Sequence, residues 1–198
     1  MYTLLKPLKV RDELIERNIS FITPRDFQRL FQTNDYQTKY FLEKFTRDGF
    51  FARLKRGLYT LKTDPPAEEE IANFLYRPSY LSFEYALAKY NVIPEMAYSI
   101  TSATTKPTRI FQALERTFTY LTIKREAFLG YIPVKQGKKT ILLADLEKAL
   151  VDYLYFVSLG KKSINDRLNL TPVDKHKAFQ YAEHFQRPGL VLLMKEIL

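Results

Sequence analysis

Residues 23–61 constrain this chain more than any other stretch, because two helix starts, a helix stop and a tight turn follow one another there in short order. Thr23-Pro24-Arg25-Asp26 carries three start signals. The threonine hydroxyl can accept a free backbone N–H, proline at the first helical position has no N–H to leave unpaired, and Asp26 faces the positive helix end. Phe27, Leu30 and Phe31 then share one face. A turn at 32–34 leads to a second helix over 35–48, closed by Gly49, which takes left-handed backbone without a side-chain clash.

At about 100° per residue, Thr38, Phe41, Leu42 and Phe45 fall on one side of that second helix. Tyr36, Lys39, Tyr40, Lys44 and Arg47 fall on the other, with Gln37 on the flank. Glu43 also points outward, spaced to pair with Arg47 at i, i+4. Residues 50–61 read as a hairpin: apolar runs at 50–54 and 58–61 flank Gly57, with Arg53, Lys55 and Arg56 around its tip. The arrangement reads as a winged helix-turn-helix. Tyr36, Gln37, Lys39 and Tyr40 are expected at base edges in a major groove, Gln37 pairing with an adenine, while Lys44, Arg47, Arg53, Lys55 and Arg56 hold phosphates. The plainer alternative is an amphipathic helix beside a charged hairpin, with no partner implied.

Charge distribution favours a polyanion partner. The net charge is +9, and residues 1–63 hold 13 Lys/Arg against 7 Asp/Glu, whereas the rest hold 18 against 15. Phosphate contacts and counterion release would give such a segment its affinity for duplex DNA. A membrane surface would also attract it, but surface-bound helices carry a broader apolar face than any here. No 18-residue apolar run exists, and residues 1–10 are interrupted by Lys6, Pro7 and Lys9, so neither a span nor a secretory signal is expected. With no cysteine there is no disulfide framework, which fits a cytoplasmic protein.

An enzyme is not expected. The two histidines, His176 and His184, lie eight residues apart, and no Gly-rich phosphate loop or Gly-x-Ser-x-Gly elbow occurs. No metal or cofactor is called for.

The remaining segments predict an α+β fold. A first helix over 8–17 would turn Val10, Leu14 and Ile15 inward and stop at Asn18; residues 19–22 would form a short strand against the hairpin. Thr63-Asp64-Pro65-Pro66 breaks all periodicity, dividing the chain into a DNA-binding domain, 1–63, and a second domain, 67–198. There, a helix over 67–76 carries Glu68, Glu69 and Glu70 as dipole-capping acids, and residues 77–80 break at Pro78. Ser82 caps the next helix, which ends near Asn91. Extended runs at 97–105, 109–113, 117–123, 129–134 and 140–143 predict a mainly antiparallel sheet, with Lys135, Lys138 and Lys139 at one turn. A long helix over 144–159 bears Asp145, Glu147 and Asp152 as caps and solvent contacts. Thr171, Pro172 and Asp174 would open a helix to Phe185, Pro188-Gly189 would break it, and an apolar helix over 190–198 would close the chain.

Four segments resemble one known family. They are Phe51-Ala52-Arg53-Leu54-Lys55-Arg56-Gly57-Leu58-Tyr59; Tyr80-Leu81-Ser82-Phe83-Glu84-Tyr85-Ala86-Leu87 with Tyr90 and Ile93-Pro94; the strand at 97–104 before Lys106; and Asp145-Leu146-Glu147-Lys148-Ala149-Leu150-Val151-Asp152. In this order, over about residues 20–160, the chain is similar to the AbiEi-type antitoxins of bacterial type IV toxin-antitoxin, or abortive-infection, systems. The resemblance implies a transcriptional repressor that binds the operator DNA of its own operon and counters a nucleotidyltransferase-like toxin. A dimer on DNA is compatible with this, since winged helices often read inverted repeats as pairs. Two other readings stay open: a winged-helix regulator whose second domain senses a small ligand, and a winged helix that binds protein.

Overall fold

Two of the three helices of the first third begin where side chains take up their free N–H groups. In the computed structural model, which describes residues 5–95, 98–137 and 139–198, α1 spans Pro7–Glu16, α2 Pro24–Phe31 and α3 Asp35–Arg47. At the start of α2, Thr23 Oγ1 accepts from Asp26 N (3.2 Å), while the Asp26 carboxylate accepts from Thr23 N (3.4 Å). Asn34 and Gln37 close the same kind of box on α3. Such reciprocal pairs satisfy two orphan donors at once. Asn18 and Gly49 both take positive φ, 54° and 78°, where α1 and α3 end.

A two-stranded hairpin follows, β1 (Phe51–Lys55) and β2 (Leu58–Leu61), with Arg53 opposite Tyr59, a bulge, and Lys55 opposite Leu58. Gly57 in its turn has φ 74°. The expected strand at 19–22 is reduced to one bridging residue: Ile22 exchanges both backbone bonds with Tyr59, at 2.9 and 3.0 Å. Val10, Leu14, Ile22, Phe27, Phe41, Leu42, Phe51, Tyr59 and Leu61 form one core cluster. Within it Phe27 and Phe41 lie 5.1 Å apart and Phe41 and Phe51 6.4 Å, centroid to centroid. Ile15 is a correction, since it is 49% exposed. Val10 and Leu14, four residues apart, form the buried stripe, and Ile15 lies a further 100° or so around the helix.

The chain forms two compact units, Met1–Ala67 with Gln112–Glu115, and Glu68–Phe111 with Arg116–Leu198. The second is built on a six-stranded sheet of order β5-β6-β4-β3-β8-β7, formed by β3 (Ser79–Leu81), β4 (Ser99–Thr104), β5 (Arg109–Ala113), β6 (Arg116–Thr122), β7 (Tyr131–Gln136) and β8 (Lys139–Ala144). Antiparallel pairs β3–β4 and β7–β8 alternate with parallel pairs β4–β6 and β3–β8, so the sheet is mixed and the whole fold α+β. Tyr80 pairs with Ala103 and Tyr120 with the preceding Ser102, which sends the two tyrosines to opposite faces. Tyr120 Oη donates to Ala72 O of α4 (Glu68–Leu75), and Tyr80 Oη to Asp152 of α6 (Leu146–Ser158). Helices therefore cover both faces.

Several boundaries differ from the expectation. The predicted break at 77–80 contains β3, a central strand buried along its length. Three residues behind a proline are too few to display alternation, and their strand character comes from neighbours on both sides. Ser82 precedes α5 (Phe83–Lys89) but makes no side-chain cap; its hydroxyl is bonded to Asp152 instead. α7 (Lys175–Glu183) starts at Lys175, not Thr171, because Asp174 is the cap, accepting from Lys177 N at 3.1 Å. Pro188-Gly189 opens α8 (Pro188–Ile197) rather than breaking a helix, as suits proline in a first turn. Of the expected strand at 97–105 and basic turn at 135–139, Ala97 and Lys138 lie outside the described residues. Among the described residues no helix is long and apolar enough to cross a membrane.

Candidate nucleic-acid interface

The outer face of α3 is a stripe of side chains spaced at i, i+3, i+4, i+8 and i+11. Tyr36 is 79% and Tyr40 53% exposed, two large rings left in solvent. Lys39, Lys44 and Arg47 are exposed beside them. At 1.5 Å per residue, the stripe from Tyr36 to Arg47 runs about 16 Å along the helix. Lys44 Nζ lies 5.9 Å from the Tyr40 ring centre and 5.4 Å from that of Phe45, which holds its charge near the helix surface. On the opposite face Thr38, Phe41 and Leu42 are buried.

The hairpin presents Arg53 and Arg56 to solvent and Lys55 half-buried. Arg53 on β1 lies opposite Tyr59 of β2, and β2 is held from its other side by the bridge to Ile22.

The ion pairs of the first unit lie off this surface, although exposed Lys6, Lys9, Arg25 and Lys62 also enter none among the described residues. Arg11 pairs with Asp12, Arg17 with Glu13 and Arg29 with Asp26. Among the described residues Lys39, Lys44, Arg47, Arg53 and Arg56 enter no ion pair, and the expected Glu43–Arg47 pair is not made. Five cations and two tyrosines thus project into solvent on α3 and the hairpin, and exposed Glu43 pairs with none of the cations among the described residues.

Gln37 is placed differently from its neighbours. It is half-buried; its backbone N–H donates to Asn34 Oδ1 at 2.9 Å, and its Oε1 accepts from Asn34 N at 3.1 Å. An adenine edge needs both amide atoms of a glutamine. Base pairing by Gln37 would therefore cost α3 half of its N-terminal box.

The second unit holds charged groups whose depth periodicity did not reveal. Asp145 is the expected cap of α6, accepting from Lys148 N at 2.9 Å. Asp152 and Glu147, expected in solvent, are buried. Lys148 and Asp152 form an enclosed ion pair, and Asp152 also accepts from Tyr80 Oη and Ser82 Oγ. Burial pushes the Asp152 carboxyl up and the Lys148 ammonium down, so each charge depends on the other. Glu147 binds Lys177 Nζ at 2.8 Å, which also reaches Asp145 at 3.1 Å; these contacts hold the Lys177 ammonium above its usual range. Of the three capping acids expected on α4, Glu69 is buried and pairs with Lys89 at 2.7 Å, and Glu68 pairs with Arg116. An i, i+4 Lys–Asp spacing on a mainly apolar helix was the one signal that could have marked Lys148 and Asp152. His176 and His184 are both exposed.

The sequence matches no known family model and none of the curated proteins with which it was compared.

Proposed function

We propose that the first unit is a winged helix-turn-helix that binds duplex DNA, with α3 in the major groove and the β1–β2 hairpin as the wing. The observation that carries this is the set of five cations without ion pairs, interleaved with two exposed tyrosines on adjoining elements. Tyr36, Lys39 and Tyr40 meet base edges; Lys44, Arg47, Arg53, Lys55 and Arg56 meet phosphates. Gln37 orients the helix start and reads bases only if its cap opens. Phosphate contacts of this kind give register and salt-dependent affinity, and the few side chains in the groove give sequence preference.

On the resemblance to AbiEi-type antitoxins, the chain acts in the cytoplasm as a repressor of its own operon. It counters a nucleotidyltransferase-like toxin encoded beside it. The second unit supplies that activity and no catalysis. Mobility-shift titration with the DNA upstream of its own gene tests the first half, and equal affinity for that DNA and a scrambled duplex would overturn it. Co-expression with the neighbouring gene product tests the second; growth arrest unrelieved by this protein rejects the antitoxin role while leaving DNA binding intact. A regulator whose second unit senses a small ligand is the second reading, favoured by a cavity of about 630 Å³ in that unit.

A further inference from the structure

Pro78 and Phe128 each line two neighbouring cavities of the second unit. One, of about 630 Å³, is lined by Arg77, Ser79, Phe128, Tyr131 and Thr140 among others. The second, of about 540 Å³, is lined by Pro78, Thr105, Arg125 and Phe128. Each falls within the roughly 300–1,000 Å³ of small-molecule sites. Among the described residues neither is lined by an Asp or a Glu, and each is lined by one arginine.

Arg77 is anchored by two contacts. Its Nε donates to Asn73 O at 3.1 Å, and its guanidinium lies 4.4 Å from the centre of the Phe74 ring. Those contacts engage Nε and one face of the group, and Arg77 enters no ion pair among the described residues. Arg125 is exposed and likewise enters none. Lys106, next to the lining residue Thr105, and Arg109 both lie over the Tyr76 ring, at 5.4 and 5.6 Å. A planar guanidinium with a free fork matches phosphate oxygens two at a time.

The apolar wall is equally fixed. Tyr131 stacks on Tyr80, 4.7 Å between centres and 19° between planes, and Phe128 lies 5.4 Å from Tyr131. Ser79 is 3% exposed, lines the larger cavity, and its Oγ has no hydrogen-bond partner. Neighbouring hydroxyls do find partners: Thr104 Oγ1 donates to Pro78 O and Thr101 Oγ1 to Ser82 O, both at 2.7 Å. Ser102 Oγ is also unpartnered but lines neither of these cavities. The Asn73 amide is already committed to the Leu142 backbone, so Ser79 is the buried wall group with hydrogen-bonding capacity to spare. Buried hydroxyls left unmatched are uncommon.

We propose that this double cavity binds a small phosphorylated aromatic ligand of mononucleotide size. Arg77 and Arg125 hold its phosphate, Phe128 and Tyr131 receive its ring, and Ser79 Oγ bonds a polar edge. All of these residues lie in the second unit, so the site stands or falls independently of DNA binding by the first.

Calorimetric titration of the full chain with AMP, GMP, CMP and UMP, their nucleosides and inorganic phosphate tests this. At least one nucleotide is expected to bind with a stoichiometry of one. Its nucleoside and inorganic phosphate should each bind at least about tenfold more weakly, because each lacks half of the contacts. Arg77→Gln and Arg125→Gln should each weaken the nucleotide by about tenfold or more, with circular dichroism unchanged. Ser79→Ala removes one oxygen that has no bond to lose; it should keep the fold and weaken binding severalfold, which keeps the test readable if an arginine variant fails to fold. Binding of none of the four nucleotides, binding no tighter than inorganic phosphate, or affinity unchanged in folded Arg77→Gln or Ser79→Ala protein would overturn the proposal.

Discussion

Lys148 and Asp152, one turn apart on α6, form an ion pair that solvent does not reach, with both side chains 0% exposed. Tyr80 of β3 donates to the same carboxylate at 3.0 Å, and Ser82, at the start of α5, at 2.7 Å. Lys148 Nζ also lies 4.6 Å from the centre of the Phe185 ring. The central strand β3, α6, the residue before α5 and the segment just after α7 thus meet at one buried ion pair.

Removing only one member of this pair should be severe. Lys148→Met leaves the carboxylate buried without its counter-charge, and the expected loss is about 3–5 kcal/mol in urea denaturation. Lys148→Met combined with Asp152→Asn leaves no charge behind and keeps an acceptor for Tyr80 and Ser82, so most of the loss should be recovered. Additive losses in the double variant would show that the two residues act separately.

Glu69 ties stability to acid pH. Burial alone would raise its carboxyl, but hydrogen bonds from Lys89 and Tyr85 and the Lys89 charge outweigh it and lower the carboxyl from 4.5 to about 2. A group whose folded value is depressed stabilises the protein fully above its unfolded value and loses that contribution as pH falls through the folded one. The contribution, about 1–3 kcal/mol after allowing for the partly exposed Lys89, should therefore disappear between about pH 4.5 and pH 2. Glu69→Gln should flatten the stability curve over that interval, and a curve of unchanged slope would refute the assignment.

On DNA, the hairpin arginines should act through phosphates. Arg53→Ala and Arg56→Ala are expected to weaken specific and scrambled duplexes alike and to lower the slope of log affinity against log salt by about one each. Tyr36→Ala, on the groove side, should narrow the gap between specific and scrambled DNA with little change in slope. A hairpin variant with wild-type affinity at every salt concentration removes the wing from the interface.

For Gln37, the first effect of truncation should be on the fold. Gln37→Ala breaks half of the box with Asn34 and should lower stability by about 1 kcal/mol, whereas Gln37→Glu can rebuild the box and should restore most of it. A fully stable Gln37→Ala protein that has lost only sequence preference would instead return Gln37 to base reading.

The face of α3 was legible because helical periodicity alone decides which side chains point outward once Phe41 and Leu42 point in. It placed Tyr36, Lys39, Tyr40, Lys44 and Arg47 in solvent without reference to any other element. It could not show that Gln37 turns back to Asn34, since a flanking position is compatible with either use. Nor could it show which cations would find partners, because a salt bridge depends on side-chain reach as well as spacing, as the unmade Glu43–Arg47 pair illustrates.

What the chain determines locally is written in its short-range signals: the Thr23–Asp26 cap, the stops at Asn18 and Gly49, the turn at Gly57 and the apolar stripe of α6. These depend on backbone donors and side chains within about four residues of one another. Tertiary structure alone decided that Ser79–Leu81 is a central strand, that Asp152, Glu147 and Glu69 are interior, and that Arg77, Ser79, Phe128 and Tyr131 share one cavity. Each of those outcomes depends on partners tens of residues away, and charge or hydrophobicity along the chain carries no record of which distant side chain will be there to meet it.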